Sequence, residues 1–463
     1  MRRMDASRED AYDLAIIGGG AGGVLTALHA LRLATAPARI VLVEPSTVMA
    51  QGVAYATRHP EHLLNVPVRR MSAFNAVPED FLDFVVANDT TGEPREQLAH
   101  RFIERRRYGD YLRARLAQAR NTSPATLDIV QGRVIAMEEG DAWQLQLESG
   151  RRMDARGVVL AVGNTPKPLP ARGAAALDPD LRLPAWHFDA IKGIAPDAEV
   201  CIAGSGLSMV DTALSLAASH HRGRIRVLSR HALLPLPHAP HALADFDAHA
   251  LLALPLRQRL RRLRAAVREA EQTGGTWQSV MEALRPHGQA LWQTLSLADQ
   301  RRFLRHVVRY WDVHRHRIAA SVHAQLQAMV DRGQMQLLRA RLQAVEPAGQ
   351  RVRVSALLHD GRLQQFDTDV VVNATGVEMR AQTMRNPLLD DLLGKGLAIP
   401  GPHGIGIKTA GNGSVVDAEG RPRERLIAIG SLRIGCLWES IAVPELRGQA
   451  EAAARALLGQ PAQ

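Results

Sequence analysis

Twice along the chain a short, wholly apolar run meets glycines and then breaks into helical spacing. At 14–17 (LAII) the run is followed by Gly18-Gly19-Gly20-Ala21-Gly22-Gly23 and then VLTALHALRL. At 200–203 (VCIA) the same succession gives Gly204-Ser205-Gly206 and a predicted helix over 207–219. Apolar runs this short, bounded by glycine, predict buried strands of a parallel sheet. Each unit then continues alike. Residues 39–43 (RIVLV) and 224–230 (RIRVLSR) predict the next strands. Alternating meanders follow at 143–163 and 352–376, closing on the small-residue turns Ala161-Val162-Gly163 and Ala374-Thr375-Gly376. Residues 426–432 (LIAIGSL) predict a last strand. Between about 245 and 345 the pattern is helical, as in LRQRLRRLRAAVREAEQ.

The glycine spacing adds chemistry to this pattern. Gly18, Gly20 and Gly23 fit G-x-G-x-x-G. In that arrangement the first glycine allows a tight turn, the second lets backbone approach a pyrophosphate, and the third lets helix and strand pack closely. The next strand ends in Glu44, where a carboxylate accepts ribose hydroxyls. The second unit keeps Gly204, Ser205 and Gly206 but has Met209 in place of the third glycine. Its next strand ends in Ser229 and Arg230. An acid there repels a 2′-phosphate, whereas Ser and Arg hold one, so NADPH is expected over NADH. Two such units predict two dinucleotides, a bound FAD and a diffusible nicotinamide cofactor. The alternative for the second is a βαβ unit that has lost its ligand.

The predicted fold is therefore α/β, with two Rossmann-like dinucleotide-binding domains for FAD and NAD(P) and a helical insertion. The expected boundaries are 10–195 and 377–463 for the two parts of the FAD-binding domain. They are 196–244 and 346–376 for the two parts of the NAD(P)-binding domain, with the insertion at 245–345. A chain of 463 residues exceeds one core and has room for this division.

Composition removes some chemistries. The only cysteines are Cys201 and Cys436, with no CxxC, so dithiol redox chemistry is not expected and a reducing compartment fits. The start, MRRMDASREDAYDL, has no apolar core of a signal peptide, and no run approaches the roughly 18 apolar residues of a membrane span. A cytoplasmic protein without a membrane partner is expected. The formal charge is +10, almost all from arginine, yet aromatic residues are only 4%, too few to stack many bases. Nucleic acid is therefore an unlikely partner, and the composition is silent on oligomeric state. His314 and His316 in WDVHRHR (311–317) lack the spacing and companions of a metal site. A structural network, or a clamp on a carboxylate or phosphate, is left for that segment.

The chain resembles the two-dinucleotide-binding flavoproteins, and more closely a bacterial family of FAD/NAD(P)-binding oxidoreductases. The resemblance is carried by GVAYATRHPEHLLNVPVRRMSAF (52–74), RRRYGDYLRARL (105–116), IAGSGLSMVDTALSL (202–216), LSRHALLPLPH (228–238), WDVHRHR and LWESIAVPELRGQA (437–450). It is similar, more loosely, to the flavin-dependent N-hydroxylating monooxygenases. The resemblance implies that Gly18, Gly20, Gly23 and Glu44 hold the ADP half of FAD. It implies that 51–66 runs beside the isoalloxazine, with His62 and Asn65 bonding the ring or the substrate, or else capping turns. Gly376, Gly430 and Ser431 would line the cofactors, Ser431 standing where relatives commonly carry Asp. The N–H groups around Ala442 and Val443 would face the flavin's pyrimidine edge. Glu439 is read as a helix-start acid before a substrate contact. The implied activity is NADPH-dependent reduction of FAD, with molecular oxygen as acceptor and hydroxylation of a small-molecule amine or similar nucleophile through a flavin C4a-hydroperoxide; no catalytic side chain is implied. The alternatives are a reductase or dehydrogenase that inserts no oxygen, and a flavoprotein that binds RNA through its basic insertion.

Overall fold

A computed structural model describes residues 11–242 and 244–459. Residue 10, residues 460–463 and the first residues read above for a signal peptide lie outside them.

Each apolar run becomes the centre of its own sheet. In the first sheet the order is Ser414–Val416, Pro422–Ala428, Arg152–Leu160, Tyr12–Ile17, Arg39–Glu44, Thr126–Gln131. All neighbours are parallel except the Ser414–Val416 edge. Val134–Glu138 and Trp143–Leu147 fold back antiparallel beside Arg152–Leu160. Leu14, Ala15 and Ile16 have no exposed surface because helices and loops cover both faces, which is why the run does not alternate. On one face the helices Ala21–Leu33 and Val443–Leu457 join one core, Val24 and Leu28 with Ala450, Ala453 and Ala454. Small residues on the second helix let the two pack closely.

The second sheet runs Leu363–Thr368, Arg351–Leu358, Met335–Ala348, Ile225–Ser229, Val200–Ala203, Val370–Asn373, Arg182–Pro184. Its last five strands are parallel. Helices Leu207–Ala218 and Ala320–Asp331 share one core with Val200, Ile202 and Val372. The two chain segments that join the units pair with each other, Thr165–Pro166 against Val377–Glu378.

The expected insertion of 245–345 needs correction at its end. Helix Ala320–Asp331 is a crossover helix of the second unit, and Met335–Ala348 is a strand, parallel to Ile225–Ser229 with Met335 opposite Ile225. A helical run that passes straight into a crossover helix gives no signal at the boundary. The helices that stand apart are Leu256–Gln272, Trp277–Leu284, Gly288–Gln293, Leu297–Arg302 and Val308–Arg315, the last two joined by a π-helical turn at Phe303–Val307. Among their arginines, Arg257, Arg261, Arg262, Arg264 and Arg268 are exposed. Arg259 is buried and donates to the carbonyls of Leu252, Leu254 and Leu291.

Among the described residues no helix is long and apolar enough to cross a membrane. Among them, too, no group of three His, Cys, Asp or Glu could hold a metal ion.

Candidate dinucleotide sites

The two glycine turns repeat one geometry. Gly18 has φ +106° and its N–H donates to Val43 O at 2.8 Å. Gly204 has φ +108° and its N–H donates to Leu228 O at 2.8 Å. A Cβ on Gly18 would stand 2.4 Å from Ala161 O, and one on Gly204 2.2 Å from Ala374 O. The small-residue turns that close each meander are thus pressed against the glycines. Both positions need glycine twice over, for the left-handed φ and for the approach. Gly23 packs its helix onto the turn so closely that a Cβ would meet Gly18 O at 1.7 Å. Met209, in the corresponding place, is buried in the second unit.

Both turns fit a pyrophosphate. Helix Ala21–Leu33 starts at Gly20 and helix Leu207–Ala218 at Gly206, and neither has a side-chain cap or an acid in its first turn. Their leading N–H groups are left for an anion, which the helix dipole also favours. Segment 50–52 crosses the first turn: Ala50 N–H donates to Gly19 O at 2.8 Å, and a Cβ on Gly20 would lie only 3.8 Å from Gly52 Cα.

The strand ends differ as the sequence predicts. Glu44 accepts from Gly19 N–H at 2.6 Å and Ser46 N–H at 3.0 Å. In the second unit Ser229 takes the equivalent place, accepting from Ser205 Oγ–H at 2.9 Å and from Ala232 N–H at 2.9 Å. Its own proton stays free to donate. Arg230 follows, exposed. Burial of its stem, with Arg309 and Arg341 close by, holds its guanidinium below the usual arginine range.

Two of the assigned residues lie at the junction of the units. His62 is fully buried there. Its Nδ1 meets Thr57 Oγ1 at 2.7 Å, and its Nε2 meets Asp211 O at 3.1 Å and Ser215 Oγ at 2.9 Å. The ring packs on Phe188 at 4.3 Å. With both nitrogens engaged, it acts as a tie between the 52–66 segment and the second unit's helix. Beside it Arg105 grips Asp211 with two bonds, 2.7 and 3.0 Å. Asn65 lies at the same junction, its carbonyl bonded to His238 Nε2 at 3.0 Å.

At the C-terminal end Gly430 has φ +67°, and its N–H donates to Gln449 Oε1 at 3.0 Å. Ser431 Oγ–H donates to Gly163 O at 2.8 Å, so the hydroxyl fastens the end of the first meander. Gly376 has φ +90° at the return crossing and its carbonyl accepts from Lys167 N–H at 3.2 Å. Ala442 precedes helix Val443–Leu457 with no side-chain cap, but Glu445 stands in the first turn. That acid already occupies part of the helix's positive end, and Arg315 lies 3.7 Å from it.

WDVHRHR is a structural network. Arg315 pairs with Glu439 at 3.1 Å, and Trp311 Nε1–H donates to Glu439 at 3.1 Å. Arg317 pairs with buried Glu282 and donates to Gln278 at 2.7 Å. Burial keeps the His316 ring below its ordinary range. One feature beside it had no sequence signal. Trp438 has φ 61° and ψ −63°, and Glu439 N–H donates to Leu437 O at 2.8 Å. This is the strained form of γ-turn, costing about 1–3 kcal/mol. Stacking on Trp292 at 5.0 Å, and edge contact with Phe303 at 5.4 Å, hold it from the insertion.

Two histidines, His29 buried and His238 half-buried, make the fold acid-sensitive. Burial holds His29 down at about 4, and burial with Arg317 holds His238 at about 4. In the unfolded chain both titrate near 6.5. As pH falls the unfolded state therefore binds protons first. The stability from the neutral rings is present above 6.5 and drains away as pH drops toward 4. We expect a loss of about 2 kcal/mol per histidine between roughly pH 7 and pH 5, read as a lower denaturation midpoint. An unchanged midpoint would refute it.

No curated protein matches the chain. Residues 15–165 match a protein-family profile described as FAD-NAD(P)-binding. Among solved structures, an ornithine hydroxylase from Pseudomonas aeruginosa is similar at 15% identity and TM-score 0.67, over 97% of this chain and 99% of that one. L-lysine 6-monooxygenase from Pseudomonas syringae is similar at 15% identity and TM-score 0.65, with the same coverage. The ornithine N-hydroxylase of Kutzneria sp. 744, with reduced FAD, NADP+ and L-ornithine, is similar at 15% identity and TM-score 0.63, again over 97% and 99%. With its two matched glycine turns, the chain has the fold of the two-dinucleotide-binding flavoproteins, and residues 15–165 match an FAD-NAD(P)-binding family model.

Proposed function

We propose that the chain is an FAD-dependent monooxygenase that uses NADPH and oxygen to hydroxylate the nitrogen of a small-molecule amine. The balance is one amine, one O2, one NADPH and one proton giving one hydroxylamine, one water and one NADP+. The observation that carries this reading is the absence of a dithiol exit for electrons. Cys201 is fully buried in a strand of the second unit, its thiol pushed up to about 12 by burial. Cys436 lies in the C-terminal turn of the first unit, and both are free. The hydroxylases named above share the fold along almost the whole chain, which adds support.

FAD when bound supplies two-electron transfer between NADPH and oxygen. The chain supplies position. The turns at 18–23 and 204–206 hold the two pyrophosphates, Glu44 the flavin-side ribose, and Ser229 and Arg230 the 2′-phosphate. The His62 and Arg105–Asp211 ties fix one unit against the other, so that the nicotinamide arrives in one orientation. Packing of the insertion over the Trp438 turn excludes water there.

The test is product analysis. The purified protein is reduced with NADPH without oxygen, then mixed with air and a panel of diamines and basic amino acids. Stoichiometric hydroxylamine for one of them supports the proposal. NADPH consumption yielding only hydrogen peroxide or a reduced acceptor across the panel points to a reductase without oxygen insertion. A protein that takes up no FAD overturns the reading altogether.

A further inference from the structure

Beyond Ser229 and Arg230, the same corner of the second unit gathers cationic side chains from two other elements, strand Met335–Ala348 and helix Val308–Arg315. Strand pairing sets Arg339 directly opposite Ser229, and Arg341 lies two residues on, on the same face of the strand. His231 packs its ring against Tyr310 at 5.6 Å, which brings the start of helix Val308–Arg315 to the site. Arg309 is the neighbour of Tyr310. Arg230, Arg309 and Arg339 all lie near enough to His231 to disfavour its protonation, after burial. None of Arg230, Arg339 and Arg341 has an ion pair among the described residues. Arg309 gives only one of its nitrogens to Asp312, at 3.1 Å. The His231 Nδ1 atom is buried without a hydrogen-bond partner.

Like charges brought together without carboxylates repel, and the fold tolerates them where an anion joins them. Some arginines elsewhere are neutralised, Arg222 with Asp197, Arg353 with Asp367, Arg362 with Asp360, while others lie exposed along helix Leu256–Gln272. What marks the present group is its convergence from separate elements on one strand end. The group stands at the strand end that corresponds to Glu44 in the first unit.

We propose that the 2′-phosphate subsite extends into the helical insertion, with Arg309 completing a pocket formed by Ser229, Arg230, His231, Arg339 and Arg341. The insertion then takes part in choosing NADPH over NADH. This rests on the reading of the second turn as an NADPH site.

The test is equilibrium binding of NADP+ and NAD+ to the FAD-loaded protein, followed by calorimetry and needing no turnover. Arg309→Ala weakens NADP+ about tenfold, the loss of one charge-assisted contact, and leaves NAD+ within about twofold. Arg309→Lys, which keeps the charge, stays within about threefold of the parent for NADP+. Unchanged NAD+ affinity shows that the variant is folded. If Arg309→Ala binds NADP+ as the parent does, or loses both nucleotides equally, the role of the insertion is overturned while the NADPH site stands. If the parent binds neither nucleotide, or both alike, the underlying reading fails as well.

Discussion

Gly23→Ala purifies without its flavin. The added Cβ would lie 1.7 Å from Gly18 O and 2.9 Å from Gly18 C, so backbone, not a flexible side chain, must give way. That backbone is the turn itself. Gly18 cannot retreat, because Ala161 O already closes on it from the other side. Overpacking of this kind costs about 1–3 kcal/mol, and if it falls on the bound state it lowers FAD affinity by a factor of about 5–150. The neighbouring Gly22→Ala is the control: its Cβ meets only flexible side chains, Ile429 at 3.3 Å and Leu446 at 3.6 Å. The ratio of flavin to protein absorbance after gel filtration reads both. A Gly23→Ala protein as yellow as the parent would mean that the phosphates do not sit on this turn.

Glu282→Ala lowers the stability of the whole protein by about 3–5 kcal/mol, because it leaves buried charge uncompensated. Glu282 is buried on helix Trp277–Leu284 of the insertion. It holds Arg317, itself buried, and accepts from Arg70 of the first unit at 2.6 Å. Burial raises its carboxyl, but Arg70 and Arg317 outweigh that and hold it at about 2. It is therefore charged at neutral pH, and its removal strands two guanidiniums. Urea denaturation followed by circular dichroism measures the loss. A change below about 1 kcal/mol would place this pair with ordinary surface ion pairs.

What the sequence revealed was local. Strand, glycine turn and helix follow one another within about a dozen residues, so periodicity and G-x-G spacing expose both units. That Ser229 and Arg230 stand at the end of the next strand was legible for the same reason. What it hid was long-range. Arg339 reaches the same corner only through strand register, and Arg309 only through the docking of the insertion. The resemblance made His62 a candidate contact of the flavin ring or the substrate, with turn capping as the alternative. Besides Thr57, its partners are 149 and 153 residues away on another unit, and no pattern in the sequence joins them. The end of the insertion was missed because helical spacing does not tell a crossover helix from an inserted one.

The order of strands in the first sheet also orders the making of the protein. Pro422–Ala428 lies beside Arg152–Leu160, and helix Val443–Leu457 covers the helix that begins at the first glycine turn. They cannot both be placed until the chain has been made through Leu457. The second unit has no such debt, since all its strands lie between Arg182–Pro184 and Val370–Asn373. Long-range parallel pairing is slow to form, and exposed edges invite wrong partners. The nascent chain therefore carries a finished nicotinamide unit while the flavin sheet still has an open edge at Arg152–Leu160. Closure of that edge draws the two ends of the finished unit together along the Thr165–Pro166 and Val377–Glu378 pair. Flavin capture then waits on closure of that edge, and a product truncated before Pro422 is expected to purify without flavin.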